Sequence, residues 1–247
     1  MSRARMDKQS SKIRAMFDSI APRYDFMNHL LSLQQDRLWR RRVVRLGLAA
    51  ERRPRRVLDL CAGTGDLALG FARRMNKEDL VIGADFAEGM LRLAQAKAAR
   101  RAAPAPVRLT CADALRLPFA DASFDLVTVA FGVRNFERLE PGLREIARVL
   151  APGGRALIFE FSRPRGRFLG PLYRCYLSHV VSLLGRLLTR GASYEYLRDS
   201  VIEFPDGEEL LDIMRGCGLT RVSARPQAFG VATIYCGEVD KQPPAGP

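Results

Sequence analysis

The chain has 247 residues, 47% hydrophobic and 27% charged, with 40 Lys and Arg against 27 Asp and Glu for a formal net charge of +13. That length supports one sizeable core, and the composition is ordinary for a soluble globular protein, which argues against a disordered chain. Five scattered cysteines (Cys61, Cys111, Cys175, Cys217 and Cys236) without a C-x-x-C pair argue against a disulfide framework or a metal site. Met1 to Lys8 lack the apolar run of a signal peptide, so a cytoplasmic location is expected.

The charge is unevenly spread. Residues 1–56 hold 15 Lys and Arg against 5 Asp and Glu, a net +10 that leaves +3 for the rest. Such an arm suits nucleic acid or an anionic membrane surface, or it is only a solvated arginine-rich face.

Residues 1–12 are polar and read as frayed. From Ile13 to about Leu48 apolar side chains recur at helical spacing, with a break expected at Ala21-Pro22, so residues 1–50 read as a basic helical cap. Within it, Leu38 to Val44 form a basic amphipathic helix around Arg40-Arg41-Arg42. Val57 to Leu60 read as a strand containing Asp59. The Gly63-Thr64-Gly65 turn follows, then a helix from Asp66 to about Met75. Two glycines let a ligand approach the backbone closely, and the helix start points free N–H groups at the same place.

Leu80 to Asp85 read as a second strand. Asp85 lies 20 residues beyond Gly65, the spacing at which an acid accepts hydrogen bonds from ribose hydroxyls. A helix from Glu88 to Arg101, a strand from Val107 to Cys111 leading into Ala112-Asp113-Ala114, and a strand from Phe124 to Ala130 come next. A helix over 143–150 then stops at an Ala151-Pro152-Gly153-Gly154 turn, which feeds a strand from Arg155 to Glu160. This alternation predicts a parallel sheet with right-handed crossovers. Ligands then sit at the carboxyl ends of the strands, which carry Gly63, Asp85, Asp113 and Phe131-Gly132.

Residues 162–203 interrupt the alternation as a helical insertion. Leu172, Tyr176, Val180, Leu184 and Leu188 form an apolar stripe, and Arg174, His179 and Arg186 break it too often for a membrane span. A helix from Glu208 to Cys217 and strands from Leu219 to Ala224 and Val231 to Cys236 complete an α/β domain over 51–240. Residues 241–247 read as a disordered tail.

A dinucleotide site asks for G-x-G-x-x-G. Here Asp66 stands where a pyrophosphate would approach the helix, and an acid there repels a diphosphate but tolerates S-adenosylmethionine, which has no phosphate. The turn, Asp85, the Asp113 corner and the Pro152-Gly153-Gly154 turn, taken in order, favour that cofactor.

The chain resembles class I S-adenosylmethionine-dependent methyltransferases, and among them the quinone-biosynthesis C-methyltransferases. The resemblance spans about Phe17 to Gly237. It is carried by Phe17-Asp18-Ser19-Ile20-Ala21, Tyr24-Asp25, Met27-Asn28, Trp39, Leu58-Asp59-Leu60 with Gly63-Thr64-Gly65-Asp66, Leu117-Pro118-Phe119, Phe131-Gly132-Val133-Arg134-Asn135, Glu160-Phe161-Ser162 and Ser193-Tyr194. It implies an α/β three-layer sandwich around a mostly parallel seven-stranded sheet. It also implies S-adenosylmethionine contacts at Thr64, Asp85, Asp113 and Ala114, around Gly63, Gly65 and Asp59. A contact made by a serine in some members falls on Ala130, which has no hydroxyl to offer, and Asp36 stands where the family pattern allows a basic residue.

The implied reaction is ring C-methylation of a polyprenylated quinol, either demethylmenaquinol or 2-methoxy-6-polyprenyl-1,4-benzoquinol. A quinol ring carbon becomes nucleophilic when a hydroxyl loses its proton, and a guanidinium beside the phenolate favours that state. Arg134 is the candidate, with Asn135 as its positioning partner and Tyr24 orienting the ring. The competing readings are an Arg134 salt bridge to Glu137 or Glu160, a helix-capping Asn135 and a packing Tyr24. His29 and His179 belong to no nucleophile or metal arrangement, and no residue stands out as general base. The insertion around 168–190 and Arg40-Arg41-Arg42 are expected to touch an anionic membrane transiently. The Pro-Pro-aromatic loop of base-modifying enzymes is missing after the fourth strand, so no nucleic acid partner is expected.

Overall fold

In the computed structural model, seven strands form one sheet in the order β3-β2-β1-β4-β5-β7-β6. They are β1 (Arg56–Leu60), β2 (Leu80–Asp85), β3 (Val107–Cys111), β4 (Phe124–Ala130), β5 (Leu150–Phe161), β6 (Thr220–Gln227) and β7 (Ala232–Glu238). The structure describes residues 3–32, 34–49, 53–164 and 199–240, with Gly170, Tyr173 and Cys175. Most of the expected insertion, including its apolar stripe and His179, and the tail 241–247 lie outside the described residues.

Pairing is parallel from β3 through β5, and β7 runs antiparallel between β5 and β6. From β1 the chain winds outward through β2 to β3, then crosses back to place β4 on the other side of β1. That reversal opens a crevice at the carboxyl ends of β1 and β4.

Among the described residues, the helices that flank the sheet include α1 (Arg3–Leu31), α2 (Gln35–Leu48), α3 (Asp66–Ala72), α4 (Glu88–Arg100), α5 (Leu139–Val149) and α6 (Glu208–Gly216). Side chains alternate across each strand. Leu126, Leu157 and Phe159 therefore meet Trp39, Val43 and Val44 of α2 and Phe71 of α3. Val127, Val129 and Ile158 meet Leu143 and Ile146 of α5 and Leu210 and Met214 of α6 on the opposite face. Each such fully buried Leu, Ile or Phe contributes about 1.5–3 kcal/mol of apolar transfer. The Arg155 guanidinium donates to the carbonyls of Leu46 and Gly47, at 3.2 and 2.8 Å, and closes the carboxyl end of α2.

Three expectations about the elements are corrected. α1 starts at Arg3 and runs unbroken through Pro22 to Leu31. A proline removes one helical hydrogen bond, but contacts just before it hold the helix to α4: Asp18 accepts the Gly89 N–H at 2.9 Å, and Ala21 packs against Ala87 and Met90. The break falls at Ser32 to Gln34 instead, where Gln34 takes φ +65°. Finally, β5 begins at Leu150. Residues 151–154 bulge out between the Phe124–Leu150 and Leu126–Arg155 pairs, with Gly153 at φ +76°. Among the described residues no helix is long and apolar enough to cross a membrane.

Candidate active site

A cavity of about 400 Å³ opens at the carboxyl ends of the strands, its wall formed by Leu60, Asp85, Cys111 and Ala130 with the loops that follow them. α1 covers one side with Ile13, Arg14, Phe17 and Tyr24. The strand that enters the glycine turn leaves it through three left-handed residues: Cys61 at φ +55°, Gly63 at +54° and Gly65 at +79°. This geometry strains a side chain and suits glycine.

Asp85 ends β2 almost fully buried. One carboxylate oxygen accepts the Gly63 N–H at 2.8 Å and the other the Ala87 N–H at 2.9 Å. Burial pushes its pKa up, and the backbone donors at Ala87, Gly63 and Phe86 oppose that shift. A carboxylate has about four acceptor sites, so these backbone bonds leave capacity for a ribose hydroxyl. Phe86, Ala114 and Leu115 supply an apolar wall beside it. An exposed Asp113 stands at the rim, its Oδ1 accepting the Leu115 N–H at 2.9 Å. This set of one oriented acid, a bare backbone turn and an apolar wall fits an adenosine-bearing cofactor.

The other expected cofactor residues lie behind the wall. Thr64 is buried and donates to Asp25 Oδ1 at 2.6 Å while accepting from Lys97 Nζ at 2.8 Å. At Gly65 a Cβ would meet Ala94 of α4 at 2.9 Å, so this glycine serves helix packing. Asp59 sits beneath the turn. Thr128 donates to its Oδ1 at 3.1 Å, its Oδ2 has no partner, and burial pushes its pKa up to about 7.

Asp66 differs from its reading as a bare anion. It pairs with Lys97 at 2.8 Å, Arg40 at 3.4 Å and Arg101 at 3.6 Å. Burial works against its charge, yet the Lys97 hydrogen bond and the three cations hold its carboxyl below the usual range. Paired with three cations, Asp66 repels no phosphate, and the fit to S-adenosylmethionine rests on Asp85 and the wall. Lys97 also pairs with Asp25 of α1 at 2.6 Å, and Arg40 pairs with Asp36, which is bonded in turn to His29 at 2.7 Å. Asp36 is thus a buried hub holding α1 to α2.

Of the three catalytic candidates, Tyr24 and Asn135 line the cavity and Arg134 does not. Arg134 Nη1 donates to Glu160 Oε1 at 2.8 Å and to the Phe131 carbonyl at 2.6 Å, its side chain only 8% exposed and its Nε without a partner. The guanidinium also lies 5.4 Å from the centre of the Phe161 ring. Of the two salt bridges considered, the Glu160 one forms, and Glu137 lines the cavity instead. Burial raises the Tyr24 pKa. A hydrogen bond from Asn28 and the charges of Arg134 and Arg40 oppose the rise, so Tyr24 is a neutral O–H donor.

Sequence reasoning missed Ile13, Arg14, Cys61, Phe86 and Phe136 as wall residues. Phe86 and Phe136 had a signal, each being an aromatic just past a strand-end motif. Ile13 and Arg14 had none, because only the docking of α1 brings them to the cavity.

Strand order and the cavity at its switch point define the fold of class I S-adenosylmethionine-dependent methyltransferases. A [4+2]-cyclase, SpnF, shares it with a TM-score of 0.68 and 17% identity over 94% of this chain and 97% of its own. So does Haemonchus contortus phosphoethanolamine N-methyltransferase 2, solved with S-adenosyl-L-methionine, at a TM-score of 0.60 and 14% identity over 81% of this chain and 52% of its own. The chain belongs to the ubiE/COQ5 methyltransferase family, which it matches over residues 5–238. It is 47% identical over 224 residues to a demethylmenaquinone methyltransferase of Thermus thermophilus, covering 90% of this chain and 99% of that one. It is 44% identical over 234 residues to a ubiquinone/menaquinone biosynthesis C-methyltransferase of Geobacter sulfurreducens, covering 95% and 91%.

Proposed function

We propose that this protein transfers the methyl group of S-adenosylmethionine to a ring carbon of a polyprenylated quinol, converting demethylmenaquinol to menaquinol. The observation that carries the reading is one cavity holding Asp85 on one wall and the hydrogen-bonding side chains Tyr24 and Asn135 on others, among aromatic rings. Names of the relatives support the substrate class, and that of the Thermus thermophilus protein supports the naphthoquinol.

When bound, the cofactor supplies an electrophilic methyl group. The chain's own residues position and polarise the partner. Asp85, fixed by two backbone N–H groups, would take the ribose, and the Gly63 turn, Asp113 and Ala114 would hold the rest of the adenosine. Phe131 and Phe136 offer faces for the flat quinol ring. Tyr24, neutral, and Asn135 donate hydrogen bonds to a ring oxygen, stabilising the phenolate that makes the ring carbon nucleophilic. Arg134 acts from behind the wall: its charge favours an anion at the Tyr24 oxygen and favours a phenolate beside it in the same way.

The Geobacter sulfurreducens relative carries both quinones in its name, so methoxy-polyprenyl-benzoquinol is the second reading. Methyl-labelled S-adenosylmethionine offered with reduced demethylnaphthoquinone, reduced methoxy-polyprenyl-benzoquinone or tRNA separates the possibilities. Label in the naphthoquinol is expected. Label in the benzoquinol alone moves the substrate, and label in tRNA alone overturns the proposal.

A further inference from the structure

The large apolar side chains that the fold leaves exposed are gathered at one edge. Among the described residues they are Phe26, Leu30, Leu38, Ile202 and Phe229. Phe26 and Leu30 lie one turn apart near the end of α1, two residues beyond the cavity residue Tyr24. Leu38 is in the first turns of α2, where the next residue, Trp39, packs on Phe131 at the carboxyl end of β4. Phe229 sits in the β6–β7 hairpin three residues before Ala232, which pairs with the last residue of β5. The Ile202 carbonyl accepts from Arg163, two residues past β5. All five therefore surround the carboxyl edge of the sheet, where the cavity opens.

Phe229 is the sharpest case. It is 86% exposed and held at φ +58°, so neither core packing nor backbone preference accounts for it. The polar counterpart lies on α2. At about 100° per residue, Arg37, Leu38, Arg41, Arg42 and Arg45 fall within an arc of roughly 140°. All five are exposed, and the arc holds no acid. The buried residues Asp36, Trp39, Val43, Val44 and Gly47 occupy the opposite side. Arg40, expected to belong to the basic cluster, points inward to Asp36 and Asp66 instead. None of the four outward arginines has an ion pair among the described residues, in contrast to the paired Arg14, Arg92 and Arg148 elsewhere.

Apolar side chains at an edge and unpaired cations on the adjoining face match the two layers of an anionic bilayer, acyl chains and headgroups. We infer that the α1–α2 corner, the outer face of α2 and the Phe229 hairpin form a docking surface for an anionic lipid membrane, with the cavity mouth facing the lipid. The inference stands on these side chains and does not require the quinol reading.

Flotation with quinone-free vesicles tests it. The protein is expected to float with phosphatidylglycerol vesicles at low salt, less so as salt rises, and not with pure phosphatidylcholine. Arg41→Ser/Arg42→Ser/Arg45→Ser should weaken partitioning by about fivefold per residue, on the order of 100-fold together. Phe26→Ser/Phe229→Ser should abolish the binding that survives added salt. None of these residues lines the cavity, so cofactor affinity and melting temperature should stay as in the parent, which confirms that each variant folds. No flotation at low salt, flotation of the arginine variant equal to the parent, or displacement of the vesicles by duplex RNA at equal phosphate concentration would each overturn the inference. Because the vesicles carry no quinone, a failure here leaves the substrate reading intact, and a failed methylation assay leaves this one intact.

Discussion

Asp85 illustrates how a single residue is set up before any ligand arrives. Two backbone N–H groups orient both of its oxygens, so in the proposed role Asp85 would accept ribose hydroxyls without reorganisation. Asp85→Ala should weaken S-adenosylmethionine binding by about 100-fold or more, the loss of two charge-assisted hydrogen bonds, as read by calorimetry. Unchanged affinity would reject the ribose assignment. Asp59 behaves differently. Its folded pKa of about 7 lies above the ordinary 3.8, so the folded state holds a proton that the unfolded chain releases. Stability from this group is therefore complete below pH ~4 and lost as pH rises to ~7, up to about 4 kcal/mol. Asp59→Asn should flatten that part of the melting-temperature profile; a profile identical to the parent's would contradict it. The Arg134–Glu160 pair calls for two variants. Arg134→Ala strands a buried carboxylate and should cost about 3–5 kcal/mol of stability as well as about 10²-fold in turnover. Adding Glu160→Ala should recover much of the stability and none of the turnover. Turnover that returns with stability would make Arg134 purely structural.

At the scale of elements, α1 is a cover fastened by ions. Asp25 reaches Thr64 and Lys97, and Asp18 caps α4 at Gly89, so the helix that walls the cavity is tied to the glycine turn itself. Lys97→Met should raise hydrogen exchange across residues 13–28 and speed cofactor release. Equal exchange in parent and variant would show that the apolar contacts of Ala21 suffice. These elements also show what a reader of the chain can reach. The strands, the Gly63-Thr64-Gly65 turn and Asp85 were legible because short-range patterning and a fixed spacing dictate them. The fates of Thr64 and Asp66 were not, since their partners Asp25 and Lys97 lie 39 and 31 residues away and only the folded sheet brings them together; Glu160 is one of two partners open to Arg134 from the chain, and the fold selects it from 26 residues away. Pro22 misled for the same reason: its local penalty is outweighed by contacts to α4.

For the molecule as a whole, the burial pattern divides the chain unequally. α2 belongs to one of the two main cores through Trp39, Val43 and Val44, whereas α1 rests on a small separate cluster with Ala87 and Met90. Local opening free energies follow such differences. A chain lacking residues 1–31 should keep the circular dichroism of the folded sheet and lose methyl transfer. Collapse of the sheet would show that α1 carries global stability.

Asp25 and Phe26 are neighbours on that helix, one gripping the glycine turn and the other turned out to solvent. Two ligands that bias the same rigid element obey reciprocity: the factor by which one tightens the other is the same in both directions. Cofactor titrations with and without phosphatidylglycerol vesicles, and vesicle titrations with and without cofactor, should therefore return a single coupling factor. A value above one would mean that the enzyme charges itself with methyl donor at the surface where its acceptor dissolves, and releases the spent cofactor more readily away from it.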